Sequence, residues 1–268
     1  MKRLHWKFVA TILFLSGEAF SLRAATTCTT ADYKGVYAFF TAGAFVQLPP
    51  EAALVQGPFS QAGTFTSDGQ GNLVVDSTPS FNGFIVPSTS VVTYTITPDC
   101  VITYSLILPP PLPVPSTFTG ILSLGTRQAT VMVTDPPGTV VVGTHVKQDL
   151  RFCGVGDFSG AYQIDIGGYI TQPKERAAQF HRLGRLVADG DGNFTATSVA
   201  TYGGRIAQES FSGTYDVNAR CFVTLNYVGA GQENITITGA LGGHGEIAMV
   251  MVATPGWAVA GYLRAQQE

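Results

Sequence analysis

The stretch Asp189-Gly-Asp-Gly-Asn193 lies between two strand-like runs, and Asp68-Gly-Gln-Gly-Asn72 lies between two more in the first half of the chain. Oxygens at alternate positions suggest a calcium cradle; glycines and Asn suggest a tight turn that needs positive φ. An EF-hand loop requires Gly at its sixth position and a bidentate Glu at its twelfth. Counted from Asp189, those places hold Phe194 and Ala200. The first half also lacks the central carboxylate, since Gln70 stands where Asp191 does. Both halves keep Asp-Gly-x-Gly-Asn, the residues a hairpin turn demands. The stretch is read as a turn, and no metal site is expected.

The shared turn anchors an internal repeat. Cys28 followed by Gly35-Val-Tyr37 matches Cys153 followed by Gly160-Ala-Tyr162, and Phe59 and Gly63 match Phe180 and Gly184. Thr93-Tyr-Thr-Ile, ending in Cys100, matches Thr214-Tyr-Asp-Val, ending in Cys221. The expected organisation is a leader over 1–25, one repeat over 28–148, a linker over 149–152 and a second repeat over 153–268. Each repeat divides into eight strand-like runs separated by Gly, Pro, Asn and Asp. Residues 221–228 show the period-two alternation of a strand, with Val223, Leu225 and Tyr227 on one face and Thr224 and Asn226 on the other. Short breaks favour hairpin neighbours, and eight such strands close into a barrel without edges. The expected fold is all-β: two tandem, disulfide-stapled, eight-stranded antiparallel up-and-down barrels. A pair of β-sandwiches is the competing arrangement.

That topology tests the cysteines. In a meander every odd strand begins at the same end, so Cys153, before strand one, and Cys221, opening strand five, share an end; so do Cys28 and Cys100. Among the three ways of pairing four cysteines, Cys28 with Cys100 and Cys153 with Cys221 respects the repeat. Each pair closes a loop of roughly 70 residues, worth about 4 kcal/mol on the chain-entropy estimate.

The first residues, Met1 to Lys7, are basic, and Phe8 to Ser16 form a short apolar run. This is the layout of a secretory signal, with cleavage expected between about 21 and 25. Loss of Lys2, Arg3, Lys7, Arg23 and Glu18 takes the formal charge from −3 to −6. A mildly acidic chain with scattered cations offers no phosphate-binding stripe, so nucleic acid is excluded as a partner. No later apolar run is unbroken enough for a transmembrane helix. The expected location is secreted, periplasmic or at the cell envelope.

Catalytic signatures are absent from the sequence: it has no G-x-S-x-G elbow, Walker loop, H-E-x-x-H or dinucleotide fingerprint, and no cofactor is expected. His181 and His244 fall at opposite ends of the second barrel, and His145 near the end of the first barrel's last strand; each is read as a surface or structural histidine. The long connection after strand one of the second repeat, with Lys174 and Arg176, is a candidate lid, and His181 and Arg182 are candidate mouth residues. Residues 247–253, Ile-Ala-Met-Val-Met-Val-Ala, are apolar on both faces, so their outward side is expected to meet the first barrel or another copy of the chain.

Signal, Cys, G-x-Y, a D-G-x-G-N turn and G-T-Y-x-V ending in Cys, repeated twice, resemble secreted bacterial proteins of the allene oxide cyclase-like, calycin-type barrel group. The resemblance implies barrels that hold apolar small molecules or cyclise oxidised fatty acids, and it carries over no catalytic residue. The leading expectation is a non-catalytic exported module that binds a small apolar ligand or serves a structural or surface role. An isomerase or cyclase acting on an oxidised lipid is the alternative, and the state of the lumen is what separates them.

Overall fold

The computed structural model describes residues 27–48, 50, 56–107, 115–125, 127–150, 152–172 and 178–266. The leader and the lid residues Lys174 and Arg176 lie outside the described residues. The first copy consists of β1 (Gly35–Phe45), β2 (Gly57–Ser67), β3 (Asn72–Phe81), β4 (Phe84–Ile85), β5 (Ser88–Ile96), β6 (Val101–Ile107), β7 (Pro115–Ser123), β8 (Gln128–Asp135) and β9 (Thr139–Lys147). Eight of these follow one another around a closed antiparallel barrel, with β3 pairing back onto β2, and β4 is a two-residue addition at the end of β3. The second copy is a closed barrel of β10 (Ser159–Ile170), β11 (Ala178–Asp189), β12 (Asn193–Tyr202), β13 (Arg205–Val217), β14 (Phe222–Val228), β15 (Asn234–Gly242), β16 (Ile247–Val252) and β17 (Trp257–Ala265).

The turn that opened the reading is held by its own aspartate. Asp189 Oδ1 accepts from the backbone N–H groups of Asp191 and Asn193 at 2.8 and 2.9 Å, and Oδ2 accepts from the Asn193 amide. Asp68 makes the same three bonds with Gln70 and Asn72. These bonds, led by the Asn side chain, hold both carboxyls below their ordinary pKa. The matched glycines of the preceding strands serve close approach: a Cβ at Gly63 or Gly184 would lie 2.3 or 2.4 Å from a carbonyl oxygen of the next strand. Cys28 is bonded to Cys100 and Cys153 to Cys221, one bridge within each copy.

The barrels lie side by side. The inner face of β16 gives Ala248, Val250 and Val252 to the second barrel's core. Its outer face gives Ile247 and Met249 to a cluster with Ala38, Val146 and Ala240, and Met251 to another with Ala62 and Ala260. The surplus apolar face seen in the sequence is thus covered by β1, β2 and β9. Backbone bonds fasten both ends of the seam: Gly256 N–H to Gly83 O at 2.9 Å at one end, Gly243 N–H to Lys147 O at 2.8 Å at the other.

Candidate functional site

Matching registers make the second copy a built-in control for the first. Thr41 faces Gln61 as Ile166 faces Arg182, and Val75 faces Ser90 as Ala196 faces Phe211. By the same pairing Ser88 corresponds to Glu209, Leu106 to Tyr227, Tyr104 to Leu225 and His145 to Leu263. All of these positions belong to the waist of a barrel, and the two copies fill it differently.

In the second barrel the waist is solid. Arg182, 3 % exposed, lies over the rings of Phe211, Phe180 and Tyr227 at 4.9, 5.4 and 5.8 Å. It donates to the Tyr227 hydroxyl at 2.6 Å and pairs with Glu209, whose other oxygen accepts from Tyr202 at 2.7 Å. Burial opposes the guanidinium charge, but Tyr227 and Glu209 more than offset it, and its pKa rises. One apolar cluster runs the length of the barrel, leaving a gap of only about 10 Å³ beside Arg182. His181, next in the chain, points the other way because successive strand residues alternate. It stands half-exposed on the outer wall, 3.1 Å from Asp165. Of the two mouth candidates, Arg182 is therefore a lumen plug and His181 an outside residue.

A cleft of about 990 Å³ lies above this plug, lined by Ile170, Tyr202, Ile206, Glu209, Glu233 and Trp257 among others. Its Ile206 rim is 77 % exposed, and the Tyr202 and Glu209 groups at its floor are already bonded to each other and to Arg182. Gln172, Arg205 and Glu233 add to its polar lining.

The first barrel differs. Its core splits into a cluster near the disulfide, including Tyr33, Tyr37, Phe65 and Tyr94, and a second of Phe45, Phe59, Phe81, Val133 and Val141 towards the opposite end. Between them is a cavity of about 80 Å³. Apolar lining from Phe39, Phe65, Val75 and Phe118 is interrupted by a polar belt of Thr41, Gln61, Ser88, Ser90, Tyr104 and His145. The ladder between β5 and β6 ends at Thr93 opposite Ser105, so Ser88, Ser90 and Leu106 flank a seam where the two strands part.

His145 is the residue that the sequence reading left unused. It is 7 % exposed, and its Nδ1 lies 2.7 Å from the Tyr33 hydroxyl and 3.4 Å from that of Tyr104. Tyr104 donates to Tyr33 at 2.8 Å. Burial pushes the imidazole pKa down to about 3, so the ring is neutral, and burial raises both tyrosines. With protons running from Tyr104 to Tyr33 to Nδ1, the ring hydrogen resides on Nε2. Among the described residues Nε2 has no hydrogen-bond partner. A signal for this was available: in the last strands, Val141-Val-Gly-Thr-His145 answers Val259-Ala-Gly-Tyr-Leu263, which sets a histidine at a lumen position filled by leucine in the other copy.

No family model matches the chain, and no curated protein matches it in sequence. The site therefore stands on its geometry.

Proposed function

We propose that the protein is an exported, non-catalytic binding protein that takes a small, mostly apolar ligand into the waist of its first barrel, while the second barrel serves a structural role. The observation that carries the reading is the contrast between copies. The same fold closes its waist with Arg182 and Phe211 in one barrel and keeps an 80 Å³ cavity with Gln61 and Ser90 in the other. Unfilled core volume costs about 24 cal/mol per Å³, so the cavity costs on the order of 2 kcal/mol that the repeat knows how to recover. Retaining it fits a site that something occupies. Export is supported by the basic and then apolar N-terminus and by two disulfides, which fit an oxidising compartment.

The isomerase or cyclase reading has less support. An oxidised fatty acid needs far more room than 80 Å³, and the polar belt holds no carboxylate or charged base. Native mass spectrometry of the exported protein tests the proposal: a small molecule should co-purify with the wild type and be lost in Ser90→Phe, which copies Phe211. A wild type that carries nothing, and whose melting temperature no small apolar compound shifts, would refute it.

A further inference from the structure

Given that the first barrel's cavity is a binding site, its chemistry narrows what can enter. Every described side chain that lines it is uncharged, His145 included, since burial leaves the ring neutral. An ionised carboxylate or ammonium brought there would lose its hydration and find no counter-charge, a cost of several kcal/mol in real proteins. The familiar pairing of an apolar lumen with a fatty-acid carboxylate is therefore unsuited to this barrel.

The cavity is not indifferent to polarity either. Nδ1 of His145 is turned towards the Tyr33 and Tyr104 hydroxyls, and the ring forms part of the cavity wall, so Nε2–H, on the far side of the ring, is left facing the space. The ring is fixed there by edge-on contacts with Phe39, Phe65 and Tyr104 at 5.7, 5.0 and 5.8 Å between centroids. A ligand oxygen that accepts from it adds one neutral hydrogen bond to the apolar contacts, which a hydrocarbon of the same shape cannot make. Gln61 is held in the cavity wall by its amide nitrogen, which donates to Ser77 at 2.7 Å, and by Thr41 Oγ1, which donates to its Oε1 at 3.5 Å.

We propose that the cavity selects an uncharged molecule, or the uncharged end of one, carrying a carbonyl-type acceptor oxygen that is received by Nε2–H of His145. The hydrocarbon part packs on Phe39, Phe65 and Phe118. His145 is a specificity determinant, positioned by Tyr33 and Tyr104.

Three isosteric probes test this: butanone, the hydrocarbon in which a methylidene group replaces the carbonyl oxygen, and propionate. Each is titrated into full-length protein labelled with ¹⁵N-histidine. Butanone should shift the His145 Nε2 resonance saturably and bind about two- to tenfold tighter than the hydrocarbon, the value of one neutral hydrogen bond. Propionate should not bind. His145→Leu, copying Leu263, should erase the preference for butanone while the hydrocarbon still binds. Should that variant fail to fold, Ser90→Phe still tests the location, because it fills the cavity while leaving residue 145 unchanged and should abolish binding of both neutral probes. Equal affinity for ketone and hydrocarbon, binding of propionate, or butanone binding that survives Ser90→Phe would overturn the inference; the first two would leave the proposed binding role standing. Failure of all three probes to bind the wild type would overturn both.

Discussion

The Tyr33 hydroxyl and Nδ1 of His145 lie 2.7 Å apart inside the first barrel, joining the 3₁₀ turn before β1 to the last strand of the same barrel. Burial of the imidazole at this contact makes stability depend on pH. The His145 pKa falls from 6.5 to about 3 on folding, through burial. A depressed histidine pKa means that the unfolded chain takes up a proton below about 6.5 while the folded one does not, so stability is complete above that pH and lost as pH falls towards 3. Between pH 7 and 5, before carboxylates titrate, the loss should be about 2 kcal/mol. Denaturant melts of wild type and His145→Leu should diverge in slope over this window; parallel profiles would show that His145 is protonated in the native state.

Arg182 and Glu209 are 4 % and 10 % exposed at the side chain and pair inside the second barrel. Removing the cation alone, as in Arg182→Met, strands Glu209 in low dielectric and should cost about 3–5 kcal/mol. The double variant Arg182→Gln with Glu209→Ser restores the residues of the first copy, Gln61 and Ser88, and should cost less than the single change. It should also give Ser198, whose hydroxyl has no hydrogen-bond partner among the described residues, the bond that Gln61 gives Ser77. Thermal melts of the two variants decide it: a double variant less stable than Arg182→Met would mean the plug is not interchangeable with the first copy's waist.

Much of the barrel was legible because turns and repeats are local. Asp68 and Asp189 sit at hairpins that their own side chains fasten, and strand bounds follow from alternation between such turns. The site was less legible. Whether a lumen is full depends on which of eight strands bring large side chains to one level, and that is a property of register between residues such as Ser90 and Val75. His181 and Arg182 show the same limit: neighbours in sequence, they stand on opposite faces of one strand. Alternation told that they differ, but not which one faced inward. His145 needed the two last strands laid side by side before its apolar counterpart, Leu263, marked it as unusual.

The bridges between Cys28 and Cys100 and between Cys153 and Cys221 span 72 and 68 residues. On the chain-entropy estimate each contributes about 4 kcal/mol by restricting the unfolded chain. Cys153→Ala with Cys221→Ala should therefore lower the second barrel's stability by that order and leave the His145 resonance of the first barrel unchanged. A loss well under 1 kcal/mol would mean that the unfolded chain is already compact across this loop.

Met249 and Met251 decide how the two copies are held together. Both are 1 % exposed or less, yet neither faces its own barrel's lumen; they meet Ala38, Val146, Ala62 and Phe40 of the first copy. Two such side chains contribute on the order of 3–5 kcal/mol through burial. The polar contacts at the seam's ends, such as Ser80 Oγ donating to Trp257 O at 2.7 Å and the exposed Arg220–Asp76 pair, fix its orientation more than its strength. Met251→Asp places a carboxylate in an apolar cluster with Ala62 and Ala260, so the interface should open while each barrel keeps its own core. Small-angle scattering should show a larger radius of gyration, and a single melting transition should split into two. The wild-type scattering profile and a single unshifted transition in Met251→Asp would show that the termini of the seam, not its apolar centre, hold the barrels together.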